Sequence, residues 1–273
     1  MASEACFSFM KRTSQRVSFD NGRGQKLSGI LEMPTADVRA YALFSHCFTC
    51  TKDLKATVRV SRRLAEHGIA VLRYDFTGLA DSEGDFSETN FSTNCADLLA
   101  AAQFLEREHE APQLLVGHSL GGTATAVMAN QVPSAKAVVT IASPSSTERL
   151  AAFLDRSCPE IAREGSGKVT IGGFEFTLKR QLLDDLLSYD IEQRVGELRL
   201  PILIFHSPQD ETLPYSWGLK IAFGSAAFGH LWLLPIPVHQ LRLRGTLVLS
   251  FRLMKFDLSQ VGLELLTSAH GSD

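Results

Sequence analysis

The sequence predicts an α/β fold with a mostly parallel central sheet covered by helices. Five short runs are rich in apolar and β-branched residues, as expected of strands buried on both faces. They lie at 40–44, 69–74, 114–116, 137–141 and 202–205. Helical patterns separate these runs, and such alternation is typical of parallel sheets. The chain has 273 residues, which is enough for one large domain of this kind but short for two.

The elements before and between these strands follow from local patterns. Residues 17–19 and 27–31 flank the turn signal Asn21-Gly22, which predicts an opening antiparallel hairpin. One helix is predicted by apolar residues at three- and four-residue spacing, and further helices are expected after Thr51 and after Ser119. The residues on the apolar face of the first helix are Cys95, Leu98, Leu99, Ala102 and Leu105.

The regular alternation stops after Ser143. A helix is predicted at 147–154, a small hairpin at 169–177 and a second helix at 182–187. We interpret 144–198 as a small cap insertion within a single domain that spans 1–273. Residues 217–273 form an atypical C-terminal segment, because acidic residues are absent from 212–256.

Charge and hydropathy restrict the partners and the location. The net charge is only −3 and 45% of the residues are hydrophobic, so neither a nucleic-acid surface nor a disordered tail is predicted. No run reaches the ~20 apolar residues of a spanning helix, and the first ten residues lack the pattern of a secretion signal. We therefore expect a cytoplasmic protein without a membrane span. The sequence does not define its oligomeric state.

The five cysteines are too few and too scattered for a disulfide framework, so we expect reduced thiols. Cys47 and Cys50 form a Cys-x-x-Cys pair. Such a pair can be a redox motif, or half of a zinc site if a second pair of ligands is present. The chain has no matching second cluster, and we interpret both cysteines as small residues packed behind a loop at a strand end.

The segment Gly117-His118-Ser119-Leu120-Gly121 carries the clearest chemical signal. It follows a predicted strand and opens a predicted helix rich in small residues. A Gly-x-Ser-x-Gly turn in this context holds a serine in a strained conformation with its hydroxyl exposed, as a nucleophile requires. The alternative is a glycine-rich turn with an incidental serine that cradles a phosphate. We favour the nucleophile because the pentapeptide lies in a strand–turn–helix.

Two further loops complete an acyl-transfer site. The backbone N–H of Phe48, or less favourably that of Cys47, is expected to join that of Leu120 in binding an oxyanion. His46 lies at the end of the same early strand, where we expect it to hold the loop. A carboxylate after a late strand can orient a catalytic imidazole, and Asp210 lies there. Glu211 is the adjacent substitute.

With these residues in view, the chain resembles bacterial α/β-hydrolases of the serine aminopeptidase-like group, of the kind often fused to an OsmC-like domain. The likeness covers about residues 14–221 and implies an α/β-hydrolase fold. It also implies that Asp75 shapes the loop near the site and that Phe48 supplies an oxyanion N–H. The matching stretches are 46–50, 73–79, 82–86, 117–122 and 206–210.

The family pattern places the catalytic histidine in an Asp-His-Leu-Leu loop after a last core strand, and this chain departs from it there. Residues 212–256 contain no Asp or Glu, and Pro235 and Pro237 fall where a central strand is expected. His239 lies 29 residues after Asp210 and is our first choice for the base. His230 is the second choice, whereas His270 lies near the terminus. We hypothesise a shifted reading frame or a strongly diverged end.

These residues predict a serine hydrolase that cleaves an ester-like bond, either a carboxylester or a thioester, in a small acyl substrate. Ser119 attacks, His239 transfers the proton and Asp210 orients the histidine, without a metal or an organic cofactor. One rival is a binding protein of the same fold that has lost its base. A weaker rival is a dinucleotide-binding module, but the chain lacks the Gly-x-Gly-x-x-Gly fingerprint after this strand.

Overall fold

A computed structural model describes residues 11–224 and, as backbone only, three short strand segments at 231–235, 242–243 and 246–247. The strands are β1 Arg12–Asp20, β2 Lys26–Pro34, β3 Ala40–Ser45, β4 Ile69–Tyr74, β5 Leu114–His118, β6 Ala137–Ile141, β7 Ser166–Ile171, β8 Phe174–Lys179, β9 Ile202–His206, β10 Leu231–Pro235, β11 Arg242–Leu243 and β12 Thr246–Leu247. The helices are α1 Lys55–Ala65, α2 Phe91–Glu108, α3 Leu120–Met128, α4 Glu148–Ser157, α5 Glu160–Glu164, α6 Arg180–Ser188, α7 Ile191–Gly196 and α8 Tyr215–Gly224.

The central sheet has the order β1-β2-β4-β3-β5-β6-β9-β10. Strands β1, β2 and β4 pair antiparallel in succession, and all later neighbours in this order pair parallel. The prediction of a mostly parallel sheet with helices packed on it is therefore confirmed. The strand order reverses at β3, because β4 lies on one side of it and β5 on the other. Open α/β sheets form their ligand-binding crevice at such a reversal.

Successive side chains of a central strand are buried in two different hydrophobic cores, one on each face of the sheet. In β3, Leu43 belongs to the hydrophobic cluster that includes α2 and α3, whereas Ala42 and Phe44 belong to the cluster that includes α1. Successive strand side chains point to opposite faces, so each face needs its own helical cover. The five predicted strand runs all form strands, with β4 and β6 beginning and ending as expected.

Helix α2 shows how local sequence defines an element. It begins at a capping box, in which the side chain of Asn90 accepts the N–H of Thr93 and the side chain of Thr93 accepts the N–H of Asn90. Its predicted apolar face is buried except at Leu99, which is partly buried, and Leu98 and Leu105 have no exposed surface. The helix thereby covers one face of the central sheet.

The insertion between β6 and β9 contains α4 to α7 and the β7–β8 hairpin. The two predicted helices and the hairpin are present, whereas α5 and α7 were not predicted because each has six residues or fewer. Leu154 and Leu186 of the insertion are fully buried. Asp185 accepts hydrogen bonds from the N–H and hydroxyl of Ser92 at the start of α2, at 2.9 and 2.5 Å. The insertion is thus tied to the helix that packs on the sheet.

Strand β10 pairs parallel with β9 and is the outermost strand of the described sheet. The strand that the family pattern places here is therefore present, at the edge of the described sheet. Pro235 is the last residue of the strand, and a proline at the end of an edge strand removes few ladder hydrogen bonds. Within the described ranges, no helix combines the length and hydropathy needed to cross a bilayer.

Candidate active site

Ser119 occupies a sharp turn between β5 and α3. Its backbone has φ 52° and ψ −126°, a conformation that is strained for a residue with a Cβ. Its N–H donates to the carbonyl of Ile141 on β6 at 2.9 Å, and its own carbonyl accepts the N–H of Gly122 at 2.9 Å. These hydrogen bonds hold the strained turn and keep Ser119 at the end of the sheet, where it is partly exposed.

Two glycines allow the turn to pack against its surroundings. A Cβ at Gly121 would lie 2.6 Å from the carbonyl oxygen of Ser45, the last residue of β3. A Cβ at Gly117 would lie 2.6 Å from the hydroxyl oxygen of Thr125 in α3. Real Cβ atoms do not approach this closely, so only glycine lets the first turn of α3 rest on the end of β3. This contact brings Ser119 close to the loop that follows β3.

Two backbone donors are available near Ser119. The N–H of Leu120 lies in the first turn of α3, where helix N–H groups lack intrahelical partners. The N–H of Phe48 lies in the β3–α1 loop, which we define as residues 46–54. Neither N–H donates a hydrogen bond to any residue that the structure describes. The N-terminal end of α3 adds a favourable dipole for a negative charge.

His46 holds the start of the β3–α1 loop. Its ring is fully buried, Nδ1 lies 2.8 Å from the carbonyl oxygen of Cys47, and the N–H of Phe76 donates to Nε2 at 3.4 Å. One neutral tautomer, with the proton on Nδ1, satisfies both contacts. Burial lowers the pKa of His46, although the hydrogen bond to Cys47 opposes this change. The ring is engaged with backbone groups, as expected for a structural histidine.

Lys52 and Asp75 anchor the other part of the loop. The backbone N–H and the Nζ of Lys52 both donate to the carboxylate of Asp75 at 2.6 Å, and Nζ also donates to Asp81 at 2.7 Å. Burial lowers the pKa of Lys52, but the hydrogen bonds that it donates to Asp75 and Asp81 outweigh this effect and raise the pKa overall. Sequence reasoning missed Lys52, because a lysine in a predicted loop carries no signal of burial.

Cys47 and Cys50 form a disulfide, with their Cα atoms 5.2 Å apart. The expectation of reduced thiols is wrong for this pair. The cause is a tight turn in which the N–H of Cys50 donates to the carbonyl of Cys47 at 3.2 Å, which brings the side chains within bonding distance. The other described cysteines, Cys95 and Cys158, are free and buried. In the described part of the chain, no cluster of potential ligands could hold a metal ion.

Asp210 lies in the loop after β9. Its Oδ1 accepts the N–H groups of Thr212 and Leu213, both at 2.9 Å. Its Oδ2 is buried and has no hydrogen-bond partner among the described residues. A buried acceptor left without a partner is costly, so this oxygen is available for a donor such as an imidazole N–H. The neighbouring Glu211 is exposed.

His206 closes the loop that carries Asp210. Its Nε2 lies 2.8 Å from the carbonyl oxygen of Leu213, which joins the end of β9 to the far side of the loop. The register of the sheet aligns Ile141 with both His118 and Phe205, so β5, β6 and β9 end at the same edge. Ser119 and Asp210 therefore project from the same edge of the sheet, with β6 between their strands.

The predicted base lies beyond this part of the structure. His239, His230 and His270 are all outside the described residues. The structure thus places Ser119, Leu120 and Phe48 at the ends of β5 and β3, and Asp210 after β9. It gives no position for the histidine that would complete the set.

His118, which precedes Ser119, was not singled out from the sequence. It is only 4% exposed, and both ring nitrogens lack hydrogen-bond partners within the described residues. Burial lowers its pKa to about 4, and the nearby His46 adds to this effect. His118 is therefore neutral near pH 7.

An aromatic cluster links the β3–α1 loop to the insertion. The ring centroid of Phe48 lies 5.6 Å from that of Phe86, which lies 5.2 Å from that of Phe176 on β8. Phe153 and Phe174 are instead 50% and 71% exposed. Phe176 is thus the phenylalanine by which the insertion joins this cluster.

A model of the serine aminopeptidase S33 family matches residues 39–169. The esterase domain of a Rhodothermus marinus protein is 34% identical, with a TM-score of 0.65 over 94% of this chain and 98% of that domain. Est1E from Butyrivibrio proteoclasticus, solved with ferulic acid, is 24% identical, with a TM-score of 0.66 over 93% of this chain and 95% of Est1E, and supports the fold alone.

A curated relative is more distant. Human protein ABHD12B is 28% identical over 169 residues, which are 60% of this chain and 44% of ABHD12B. The chain thus spans less than half the length of that relative. The family model, the esterase domain and the observed sheet agree with the resemblance found in the sequence. The chain belongs to the α/β-hydrolase family, with a serine aminopeptidase-like region at residues 39–169.

Proposed function

We propose that the protein is a serine hydrolase that cleaves carboxylesters or thioesters through an acyl-enzyme on Ser119. The observation that carries this proposal is the strained backbone of Ser119, at φ 52°, together with the N–H groups of Leu120 and Phe48, which have no described acceptor. Strain of this kind persists only where the surrounding structure enforces it, and it is concentrated at functional sites. The 34% identity to an esterase domain supports the same reaction class.

In the proposed reaction, the hydroxyl oxygen of Ser119 attacks the acyl carbonyl carbon while a histidine takes its proton. The N–H groups of Phe48 and Leu120 donate to the oxyanion that forms. The histidine then protonates the leaving alcohol or thiol, and water releases the acyl group by the same steps in reverse order. Asp210 holds the histidine through Oδ2, the oxygen that lacks a described partner.

We assign the proton transfer to His239 and keep His230 as the alternative, because both lie in the segment that follows Asp210. The region 144–198 acts as a cap within one domain, and the Phe48–Phe86–Phe176 cluster connects it to the proposed oxyanion loop. An apolar acyl chain fits such an aromatic surface. The substrate is a small molecule, and the mechanism needs no metal or organic cofactor.

Hydrolysis of p-nitrophenyl butyrate tests this proposal. We expect turnover by the full chain and its loss in Ser119→Ala. The variants His239→Ala and His230→Ala identify the base, because the correct one lowers kcat by several orders of magnitude. Turnover that survives Ser119→Ala would refute the proposed nucleophile.

A second function is favoured by one observation. Residues 212–256 contain no Asp or Glu, and the last strand of the described sheet ends in Pro235. This altered segment is where the base must lie, so a chain without a competent histidine would bind ligands in the same site without turnover. A folded protein that binds an alkyl ester but leaves it intact would support this alternative.

A further inference from the structure

The Cys47–Cys50 disulfide has no role in the proposed reaction. It closes a four-residue turn that contains Phe48 and Thr49, and both cysteines are partly exposed. Cys-x-x-Cys pairs are the usual form of protein dithiols that exchange with other thiols. A pair at this position is therefore within reach of a thiol reagent and encloses a proposed oxyanion donor.

The rest of the loop is held on either side of this turn. Before it, the carbonyl of Cys47 is bound by the His46 ring. After it, the N–H and Nζ of Lys52 are bound by Asp75. Between these anchors, Phe48 and Thr49 make no backbone hydrogen bonds with the described residues. Within the turn, the disulfide and the hydrogen bond from the Cys50 N–H to the Cys47 carbonyl are thus the described restraints on the backbone at Phe48, whose ring also contacts Phe86.

We infer that Cys47–Cys50 is a dithiol–disulfide site whose redox state determines how well the Phe48 N–H is held for catalysis. The inference rests on the proposed function. Hydrolysis is fastest in the oxidised form, because a preorganised donor stabilises the oxyanion at no further cost in ordering. Reduction releases the turn while leaving the anchors at His46 and Lys52 in place.

The exchange is a balanced two-electron reaction with a small or protein dithiol. One thiolate of the reductant attacks a sulfur of the disulfide, the Cys47–Cys50 bond breaks, and the released thiolate takes a proton. The second thiol of the reductant loses its proton and displaces the remaining cysteine, which is protonated in turn. The reductant leaves as a disulfide, and the loop has gained two electrons and two protons.

The expected effect is partial because the donor is loosened and not removed. Loss of an oxyanion donor costs about 10²–10³ in kcat, so we expect reduction to lower kcat about three- to tenfold. KM changes little, since the donor acts mainly on the transition state.

The experiment compares p-nitrophenyl butyrate hydrolysis by the full chain before and after treatment with dithiothreitol. The reductant is removed under argon before the assay, because free thiols cleave the ester directly. Alkylation followed by peptide mass analysis verifies that Cys47 and Cys50 are blocked in one sample and free in the other. The double variant Cys47→Ser/Cys50→Ser should match the reduced enzyme and ignore the reductant. The control Cys158→Ala, at a buried free cysteine, should respond like the wild type.

The outcomes separate this inference from the proposed function. A fall in kcat that is reversed by a small disulfide oxidant, together with low and insensitive turnover in the double variant, supports the inference. Equal turnover of the oxidised and reduced enzyme overturns the inference alone. Absence of turnover in both states overturns the proposed function and, with it, this inference.

Discussion

His118 makes the stability of the fold sensitive to mild acid. The ring is 4% exposed and makes no hydrogen bonds within the described residues, and its pKa in the folded protein is about 4. In the unfolded chain the pKa is the ordinary 6.5. Above pH 6.5 the ring is neutral in both states, so the stability is fully present. As the pH falls below 6.5, the unfolded chain takes up a proton that the folded protein excludes, and stability is lost until about pH 4.

The size of this effect follows from the two pKa values. Each pH unit between them costs 1.36 kcal/mol, so His118 alone lowers the free energy of unfolding by about 2 kcal/mol between pH 7.5 and 5.0. His46 acts in the same direction, because its pKa is also lowered by burial. The variant His118→Leu removes the first contribution and keeps an apolar side chain in the buried position.

Urea unfolding at the two pH values measures this contribution. Any packing cost of leucine enters at both pH values and cancels in the difference. We expect the variant to lose about 2 kcal/mol less than the wild type between pH 7.5 and 5.0. An equal loss in both proteins would show that His118 is not held neutral by burial, and the reasoning would fail.

Three further predictions concern the loop, the turn and the insertion. Gly121→Ala should lower kcat/KM about 10²–10³-fold, as loss of an oxyanion donor does, because the added Cβ collides with the end of β3. The control is Gly196→Ala, whose Cβ would lie no closer than 3.5 Å to other atoms. Equal activity of the two variants would contradict the packing argument. Lys52→Met should lower the free energy of unfolding by about 3–5 kcal/mol in urea, because it leaves the Asp75 charge buried without its partner. Loss of the exposed Lys168–Glu175 pair in Lys168→Met should cost much less, and equal costs would refute the role of burial. Phe176→Ala should raise KM for p-nitrophenyl butyrate with little change in kcat, and Phe174→Ala should not; the reverse order would exclude the aromatic cluster as the acyl surface.

The main sheet was predictable because its signals are local and redundant. Runs such as 69–74 and 137–141 are mostly apolar or β-branched and match β4 and β6 residue for residue. Ser119 was predictable because the glycines beside it are required by contacts within a few residues, as at Gly117, and by the end of β3, as at Gly121. Close packing of this kind requires glycine, and the glycines are visible in the sequence.

Other parts of the site depend on contacts that sequence patterns do not record. Lys52 and Asp75 are 23 residues apart, and only the fold shows that the lysine is buried against the carboxylate. The Cys47–Cys50 disulfide depends on the conformation of one turn, whereas cysteine counts predicted thiols. His118 has no hydrogen-bond partner among the described residues, and its burial is not recorded by any local sequence pattern. The position of a base such as His239 depends on a segment whose composition departs from the family pattern.

The most direct test of the account is covalent labelling of the full, folded protein with a fluorophosphonate probe, followed by peptide mass analysis. The account predicts one labelled residue, Ser119, and no labelling of Ser119→Ala, because only a serine activated by an assembled base and oxyanion donors reacts at a useful rate. Absence of labelling in folded protein, or labelling that persists in Ser119→Ala, would contradict the claim that this turn presents a catalytic nucleophile.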